Sequence, residues 1–275
     1  MAARSRLARR AGVAGAGVWA LRVFAYAVFV GLVAPLAVVV GASFAGGSYV
    51  EFPPTRPSLA WYRAFFEDPI FVKSLVLSAQ LAASSAAVAT VVGFLAAYVL
   101  VRARFPGRQF AWGLLLSPLI VPQIVLGVAL LHFFTLLGLA TTYVGLLIAH
   151  VVSVLPFVVR TVAASLLGIN PQVEDAAADL GANKLETLAL VVAPMVKGGL
   201  LAGGLFAFIM SWINVEVSIF LGVTGTYTLP VVLYNFVEYS LTTVVMAAAA
   251  IAIYVAIVLV VVVDRFFGLH TAVRL

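Results

Sequence analysis

The chain has 275 residues, of which 64% are hydrophobic and only 9% are charged, and its mean hydropathy is +1.19. A soluble domain of this length carries about a quarter of its residues as charged side chains, so lipid must be the solvent for most of the chain. The absence of cysteine excludes disulfides, cysteine-ligated zinc and thiolate chemistry. The net charge is +6, and the placement of the Lys and Arg residues between apolar stretches indicates the orientation of a membrane protein and not nucleic-acid binding. The sequence therefore predicts an all-α polytopic membrane protein.

Six apolar stretches are long enough to cross a membrane, because a helix needs about 20 apolar residues to span hydrocarbon. They lie at about 23–45, 74–101, 109–136, 141–167, 197–222 and 242–263. The basic residues 1–19 precede the first stretch, which is too long for the apolar region of a signal peptide. Residues 46–73 are polar and Pro-rich, and predict an external loop with a short interfacial helix near Trp61 to Phe66.

Prolines and glycines mark predicted irregularities in these spans. Breaks or kinks are expected at three prolines, Pro118, Pro122 and Pro156. Gly199 and Gly203 form a small-residue motif at the start of the fifth span, which predicts close contact with another helix. Residues 223–241 are semi-polar and predict a loop before the last span.

Positive charge predicts the orientation of the chain. An even number of spans places both termini on one side of the membrane. That side collects 13 of the 16 basic residues: Arg4, Arg6, Arg9, Arg10, Arg22, Arg102, Arg104, Arg108, Arg160, Lys184, Lys197, Arg265 and Arg274. The other side holds Arg56, Arg63 and Lys73. Both termini are therefore predicted to be cytoplasmic.

One polar interruption between apolar runs, residues 168–195, is named here the acidic segment. It holds four of the chain's 10 acidic residues, Glu174, Asp175, Asp179 and Glu186. Asn170 is a helix cap, and Gly181 suits the left-handed conformation that ends a helix. Asn183 and Glu186 predict a capping box for a second helix, which ends near Pro194. A solvated loop explains this pattern, and so does a compact knob that fits a partner's cleft.

The acidic segment carries the pattern acid-Ala-Ala, three residues, then Gly, with a trailing Pro. It runs Asp175-Ala176-Ala177-Ala178-Asp179-Leu180-Gly181 and then Pro194. This pattern resembles the signature of the membrane permease subunits of binding-protein-dependent ABC importers. The stretches FPPTRPSLAWY, SPLIVPQIVLGVALL, LPFVVRTVAASL and SIFLGVTGTYTLPVVLY resemble the polyamine (spermidine/putrescine) branch of that family. Asp175 stands where the family usually has Glu, with Glu174 one step earlier, so either carboxylate is a candidate for the family's contact.

The resemblance implies a type I ABC importer permease fold with six transmembrane helices and no enzymatic activity in this chain. The coupling residues would be Glu174, Asp175, Ala176, Ala177, Asp179, Gly181 and Pro194. They would dock on a cytoplasmic ATPase dimer, which would carry ATP and Mg because this chain has no Walker A sequence. This chain itself is expected to bind no cofactor. The other implied partners are a second permease and an external solute-binding protein. For the second permease, a homologous chain is favoured over an identical copy.

The implied organisation places the protein in the bacterial inner membrane. Residues 1–19 would be a cytoplasmic N-terminus, and residues 20–73 the first span with its external loop. Residues 74–263 would be the importer core containing the acidic segment, and residues 264–275 a cytoplasmic tail. The implied substrate is a polyamine or a similar amine.

Four residues are candidates for the substrate pathway, Gln123, Trp212, Asn214 and Glu216. Glu216 falls inside the predicted fifth span, where an ionised group costs about 2.5–3.5 kcal/mol near the helix centre. It either lines the path of a cationic substrate, or reaches the external interface or another subunit. For Trp212 a packing role is favoured over contact with substrate. His132 and His150 are predicted to pack between helices with their hydrogen bonds satisfied, and not to relay protons. The alternative function is a proton- or sodium-coupled secondary transporter, which needs ionisable sites near the midplane.

Overall fold

The computed structural model describes residues 2–47, 49–239 and 243–267, and within them the only β-structure is two isolated bridges. The helices are α1 (Ala2–Ala42), α2 (Ala60–Glu67), α3 (Pro69–Arg102), α4 (Arg108–Leu116), α5 (Gln123–Leu136), α6 (Tyr143–Leu167), α7 (Gln172–Asp179), α8 (Lys184–Glu186), α9 (Ala193–Met195), α10 (Lys197–Trp212), α11 (Leu229–Tyr239) and α12 (Thr243–Phe267). The described residues form two compact units, one drawn from residues 1–64 and 241–253 and the other from residues 65–240 and 254–275. Part of the predicted tail, residues 268–275, lies outside the described residues.

Four helical stretches of the described chain are long and apolar enough to span a membrane: Val18–Ala42, Pro69–Arg102, Tyr143–Leu167 and Thr243–Arg265. Two further stretches qualify only as bent pairs: Arg108–Leu119 with Gln123–Leu136, and Lys184–Met195 with Lys197–Trp212. The six predicted spans are therefore reached when each bent pair counts as one span. The all-α, multi-span architecture predicted from composition is confirmed.

The third predicted span is bent sharply instead of running straight. A 3-10 turn follows α4, and α5 begins at Gln123 with a bend of 106° between the two parts. Pro118 and Pro122 lie in and beside the break, as expected for residues that cannot donate a backbone hydrogen bond. Pro156, in contrast, does not interrupt α6, which is continuous around it. Val154 and Val158 on either side of it are buried.

The fifth predicted span ends earlier than apolar composition suggested. α10 stops at Trp212, and the chain then turns until α11 begins at Leu229. The Oδ1 atom of Asn214 accepts a hydrogen bond from the backbone N–H of Val217 at 2.9 Å. A side chain that binds nearby backbone in this way competes with helix continuation. Glu216 is therefore in a turn and not on a helix, which corrects the prediction.

The second span begins earlier than predicted. Asp68 caps α3 by accepting a hydrogen bond from the N–H of Ile70 at 2.8 Å, and Pro69 occupies the first helical position. Residues 69–73 therefore belong to this helix and not to the loop before it. The short helix predicted near Trp61 to Phe66 is present as α2.

The first unit contains α1 and the loop that follows it. The hydroxyls of Ser43 and Tyr62 lie 2.6 Å apart, and the rings of Phe44 and Tyr62 lie 5.3 Å apart. The indole N–H of Trp61 donates to the carbonyl of Gly47 at 3.2 Å. These contacts fold the Pro-rich loop back onto the start of α2.

The second unit is built on three helices, α3, α6 and α10, that pack against one another. Small residues allow their close approach. A Cβ added to Gly93 of α3 would lie 2.7 Å from a methyl of Val158, and a Cβ added to Gly203 of α10 would lie 2.9 Å from the Cα of Val158. Gly199 likewise faces the backbone of Thr161. The close helix contact predicted for Gly199 and Gly203 is confirmed.

The Gly203→Leu substitution is expected to lower the free energy of unfolding by about 3 kcal/mol, because the backbone of α6 leaves no room for a side chain. The thermal stability of the purified chain in detergent measures this loss. Gly113→Leu is the control, since a Cβ at Gly113 meets nothing within 4 Å. Equal destabilisation by the two substitutions would contradict the packing described.

Candidate functional site

The first half of the acidic segment forms α7, as predicted. The Oδ1 atom of Asn170 accepts a hydrogen bond from the N–H of Gln172 at 3.1 Å, which caps the helix start. Gly181 has a φ of +90°, and the N–H of Ala182 reaches back to the carbonyl of Ala177 at 3.0 Å. This left-handed turn satisfies the carbonyls at the helix end. The predicted cap and the predicted stop are both confirmed.

The second half of the acidic segment begins with the predicted capping box. The N–H of Asn183 donates to Oε2 of Glu186 at 2.8 Å, and the N–H of Glu186 donates to Oδ1 of Asn183 at 3.0 Å. A π-helical turn over Thr187–Val192 follows, and the helical stretch runs to Met195. At that point it meets α10 at an angle of 78°. The acidic segment therefore leads directly into one of the three core helices.

Glu174 is turned inward and holds α7 against the end of α3. Its Oε1 lies 2.7 Å from Nε of Arg102, with 16% of the arginine side chain and 15% of the glutamate side chain exposed. Its Oε2 accepts a hydrogen bond from the hydroxyl of Tyr98 at 2.7 Å. Arg102 also donates through Nη2 to the carbonyl of Ile169 at 3.2 Å. This cluster of Tyr98, Arg102 and Glu174 is named here the anchor.

Asp175 is the next residue of the same helix and differs from Glu174 in exposure. Its side chain is exposed and has no hydrogen bond or ion pair within the described residues, while Ala177 is the buried residue of this turn. The two adjacent carboxylates therefore differ in environment, one bound inside the chain and one free at its surface. The sequence alone did not separate the two carboxylates, whereas the structure gives them different partners and different exposure.

The acidic segment carries exposed leucines as well as exposed acids. Leu180 is 91% exposed and Leu185 is 77% exposed, on either side of the turn at Gly181. Asp175 and Asp179 of the same segment are exposed too. Exposed leucines on a polar turn are typical of a surface that another protein covers.

A cavity of about 350 Å³ lies elsewhere in the second unit, and it is named here the polar cavity for the four polar side chains in an otherwise apolar lining. Its lining is Leu119, Gln123, Ser153, Val154, Phe157, Met210, Ile213, Asn214 and Glu216. Three of the four predicted pathway residues therefore meet in one cavity, although they come from α5 and from the turn after α10. The volume lies within the range of about 300–1,000 Å³ that is usual for small-molecule sites.

The remaining candidate, Trp212, does not line the polar cavity. It is 3% exposed and stacks on Phe208 with ring centroids 6.0 Å apart. Gln123 donates through Nε2 to the carbonyl of Pro118 at 3.1 Å, whereas its Oε1 is buried without a partner in the described chain. Ser153 and Phe157, which the sequence reasoning missed, complete the polar and aromatic lining. Their spacing of four residues on α6 was the available signal.

Metal ligation has no candidate in the part of the chain that the structure describes, where no three His, Cys, Asp or Glu residues come together.

Comparison with known proteins agrees with this architecture. Residues 89–271 match the family described as binding-protein-dependent transport system inner membrane component. The chain is 32% identical, over 86% of its length and 92% of the relative's, to the spermidine/putrescine transport system permease protein PotC of Haemophilus influenzae. It is 30% identical, over 66% of its length and 67% of the relative's, to the putrescine transport system permease protein PotI of Escherichia coli K12.

Solved structures show a similar fold. A bacterial ABC transporter involved in the import of the acidic polysaccharide alginate superposes with a TM-score of 0.72 at 20% identity, covering 94% of this chain and 97% of that chain. The MetNI methionine ABC transporter superposes with a TM-score of 0.59 at 18% identity, covering 71% and 94%. Fold and family thus define a transmembrane subunit of an ABC importer. The chain belongs to the family of binding-protein-dependent transport system inner membrane components, and the secondary-transporter alternative is wrong.

Proposed function

We propose that this chain forms half of the translocation pathway of an ATP-driven importer, for a small amine delivered by an external binding protein. The observation that carries the proposal is the acidic segment, which is fixed to the core through Glu174 and presents Leu180, Leu185 and Asp175 outward. With these two features, a partner bound to the exposed residues would move the acidic segment, and the contact at Glu174 would transmit that movement to the core helices.

The partner at this surface would be a cytoplasmic ATPase dimer that binds ATP and Mg. Its closure would displace the acidic segment. The anchor would carry that displacement to α3, and the junction at Met195 would carry it to α10. Because α3 and α10 both pack on α6, the displacement would change how the three helices pack and so which side of the membrane the pathway faces. Asp175, and not Glu174, would be the carboxylate that contacts the ATPase.

The topology proposed with this function has both termini in the cytoplasm of a bacterial cell. The basic residues gathered on the side of the acidic segment support it, since cytoplasmic loops carry the excess of Lys and Arg. A second permease would complete the pathway, and a homologous chain is favoured over an identical copy. Residues 74–263 would supply this chain's share of the core.

The substrate class is proposed from the polar cavity together with the relatives. A carboxylate at Glu216 and amide oxygens at Gln123 and Asn214 are acceptors for an ammonium group. Phe157 adds an aromatic face, which attracts cations. The spermidine/putrescine and putrescine permeases among the relatives support a polyamine or a related amine.

Uptake of radiolabelled putrescine into proteoliposomes tests the proposal. The vesicles hold this chain with the ATPase and the companion permease with which it copurifies, and binding protein is added outside. We expect uptake that requires ATP inside and binding protein outside. Uptake without ATP, or driven by an imposed proton or sodium gradient, would contradict it.

The Glu216→Gln substitution is expected to slow this uptake about tenfold, because a charged acceptor is replaced by a neutral one in the polar cavity. Glu238→Gln, on the exposed side of α11, is the matched control and should leave uptake unchanged. Initial rates are measured per assembled complex. Unchanged kinetics in Glu216→Gln would remove Glu216 from the pathway.

A further inference from the structure

His150 lies inside α6 with 0% of its surface exposed, and no step proposed above uses it. Its Nδ1 lies 2.8 Å from the hydroxyl of Ser211, near the end of α10. Its Nε2 lies 2.9 Å from the hydroxyl of Ser218, in the turn that follows that helix. Both serines are buried. One imidazole thus joins α6 to a helix end and to the turn beyond it.

The hydrogen-bond partners determine which group in this network donates and which accepts. The hydroxyl of Ser218 donates its single proton to the carbonyl of Asn214 at 2.8 Å, so it must accept from the Nε2–H of His150. A neutral imidazole then accepts at Nδ1, from the hydroxyl of Ser211. The hydrogen bonds therefore run in one direction, from Ser211 through His150 and Ser218 to the backbone of Asn214.

The turn held by this network carries two residues of the polar cavity, Asn214 and Glu216. The turn also packs closely on α5, because a Cβ added to Gly127 would lie 2.9 Å from the carbonyl of Glu216 and 2.8 Å from the ring of Phe220. This contact opposes movement of the turn toward α5. The bonds from His150 fix the turn to α6, which supplies Ser153 and Phe157 to the same cavity.

We propose that His150 is a positioning residue for the polar cavity. It sets where Glu216 and Asn214 stand relative to the cavity residues of α6, and so sets how the cavity receives a cationic substrate. This inference rests on the proposed function of the cavity, but it concerns a residue that does not line it. The residue acts through the turn and not by contact with substrate.

The test is putrescine uptake per assembled complex in proteoliposomes. His150→Leu keeps bulk without hydrogen bonds and is expected to slow uptake about tenfold. His150→Gln retains one donor and one acceptor and should recover uptake to within about threefold of wild type. The control is His132→Leu, at an exposed histidine of α5, which should change nothing.

A double variant separates positioning from a merely structural role. If His150 acts through the turn, His150→Leu combined with Glu216→Gln should be no slower than the slower single variant. Should the leucine variant fail to assemble, Ser218→Ala takes its place in each comparison, because it removes the bond between His150 and the turn together with the bond from Ser218 to the carbonyl of Asn214. Wild-type uptake in His150→Leu, or losses that simply multiply with no recovery in His150→Gln, would overturn the inference. If the wild-type protein took up no putrescine, the proposed substrate would be overturned, and the inference that depends on it would fall with it.

Discussion

Replacing Glu174 with Leu is expected to lower the free energy of unfolding by about 3 kcal/mol, near the low end for breaking a buried ion pair. The low end applies because 16% of the Arg102 side chain and 15% of the Glu174 side chain remain exposed. The substitution leaves the Nε–H of Arg102 and the Tyr98 hydroxyl without their acceptor, and leaves the guanidinium charge without its counter-ion. Uptake should fall more than tenfold while the ATPase still binds, since the docking surface formed by Asp175, Leu180 and Leu185 is intact but no longer fixed to α3. Thermal stability, copurification and uptake are measured on the same preparation.

The adjacent carboxylate provides the control for this prediction. Asp175→Asn changes an exposed side chain and should alter stability by no more than about 0.5 kcal/mol. Removing both partners of the ion pair with Arg102→Leu and Glu174→Leu should destabilise less than the two single losses added together, because no charge is left unpaired. Equal destabilisation by Asp175→Asn and Glu174→Leu would show that the anchor does not distinguish the two acids.

Replacing both Leu180 and Leu185 with Ser is expected to weaken binding of the ATPase about 100-fold. The two leucines are 91% and 77% exposed in this chain, and burying each against a partner contributes about 1.5 kcal/mol or more. Stability of the isolated chain should not fall, because neither side chain packs inside it. Binding is measured by titrating the purified ATPase against the chain in detergent.

Leu136→Ser is the matched control for the docking surface. Leu136 is 73% exposed at the far end of α5, outside the acidic segment. It should leave affinity for the ATPase unchanged. If Leu136→Ser weakened binding as much as the double variant, general disturbance and not docking would explain the loss.

Local signals were sufficient to predict much of the acidic segment. Asn183 and Glu186 lie three positions apart and Gly181 follows a helix directly, so their capping roles depend on neighbouring backbone alone. Prolines likewise marked the break between α4 and α5, although the angle of 106° depends on how both helices pack. Composition also predicted the six apolar stretches.

Long-range contacts were beyond the sequence. The ion-pair partner of Glu174 is 72 residues away, and the serines bound by His150 are 61 and 68 residues away. No spacing rule connects such positions. Apolar residues beyond Trp212 also extended the predicted fifth span, because composition does not register the turn that Asn214 makes with Val217. The polar cavity depends on that turn, so its members were predicted individually but not as a group.

The most direct test of the account is copurification from native membranes in mild detergent, comparing wild type with Gly181→Asp. A side chain at Gly181 meets nothing within 4 Å in this chain, so the aspartate adds charge and backbone strain at the docking turn alone. Gly225→Asp is the matched control, with a φ of +80° and equally open surroundings. The account predicts that an ATP-binding subunit copurifies with wild type and with Gly225→Asp, and is lost from Gly181→Asp. The absence of an ATPase from wild type, or its full retention by Gly181→Asp, would contradict the assignment of the acidic segment as the coupling element.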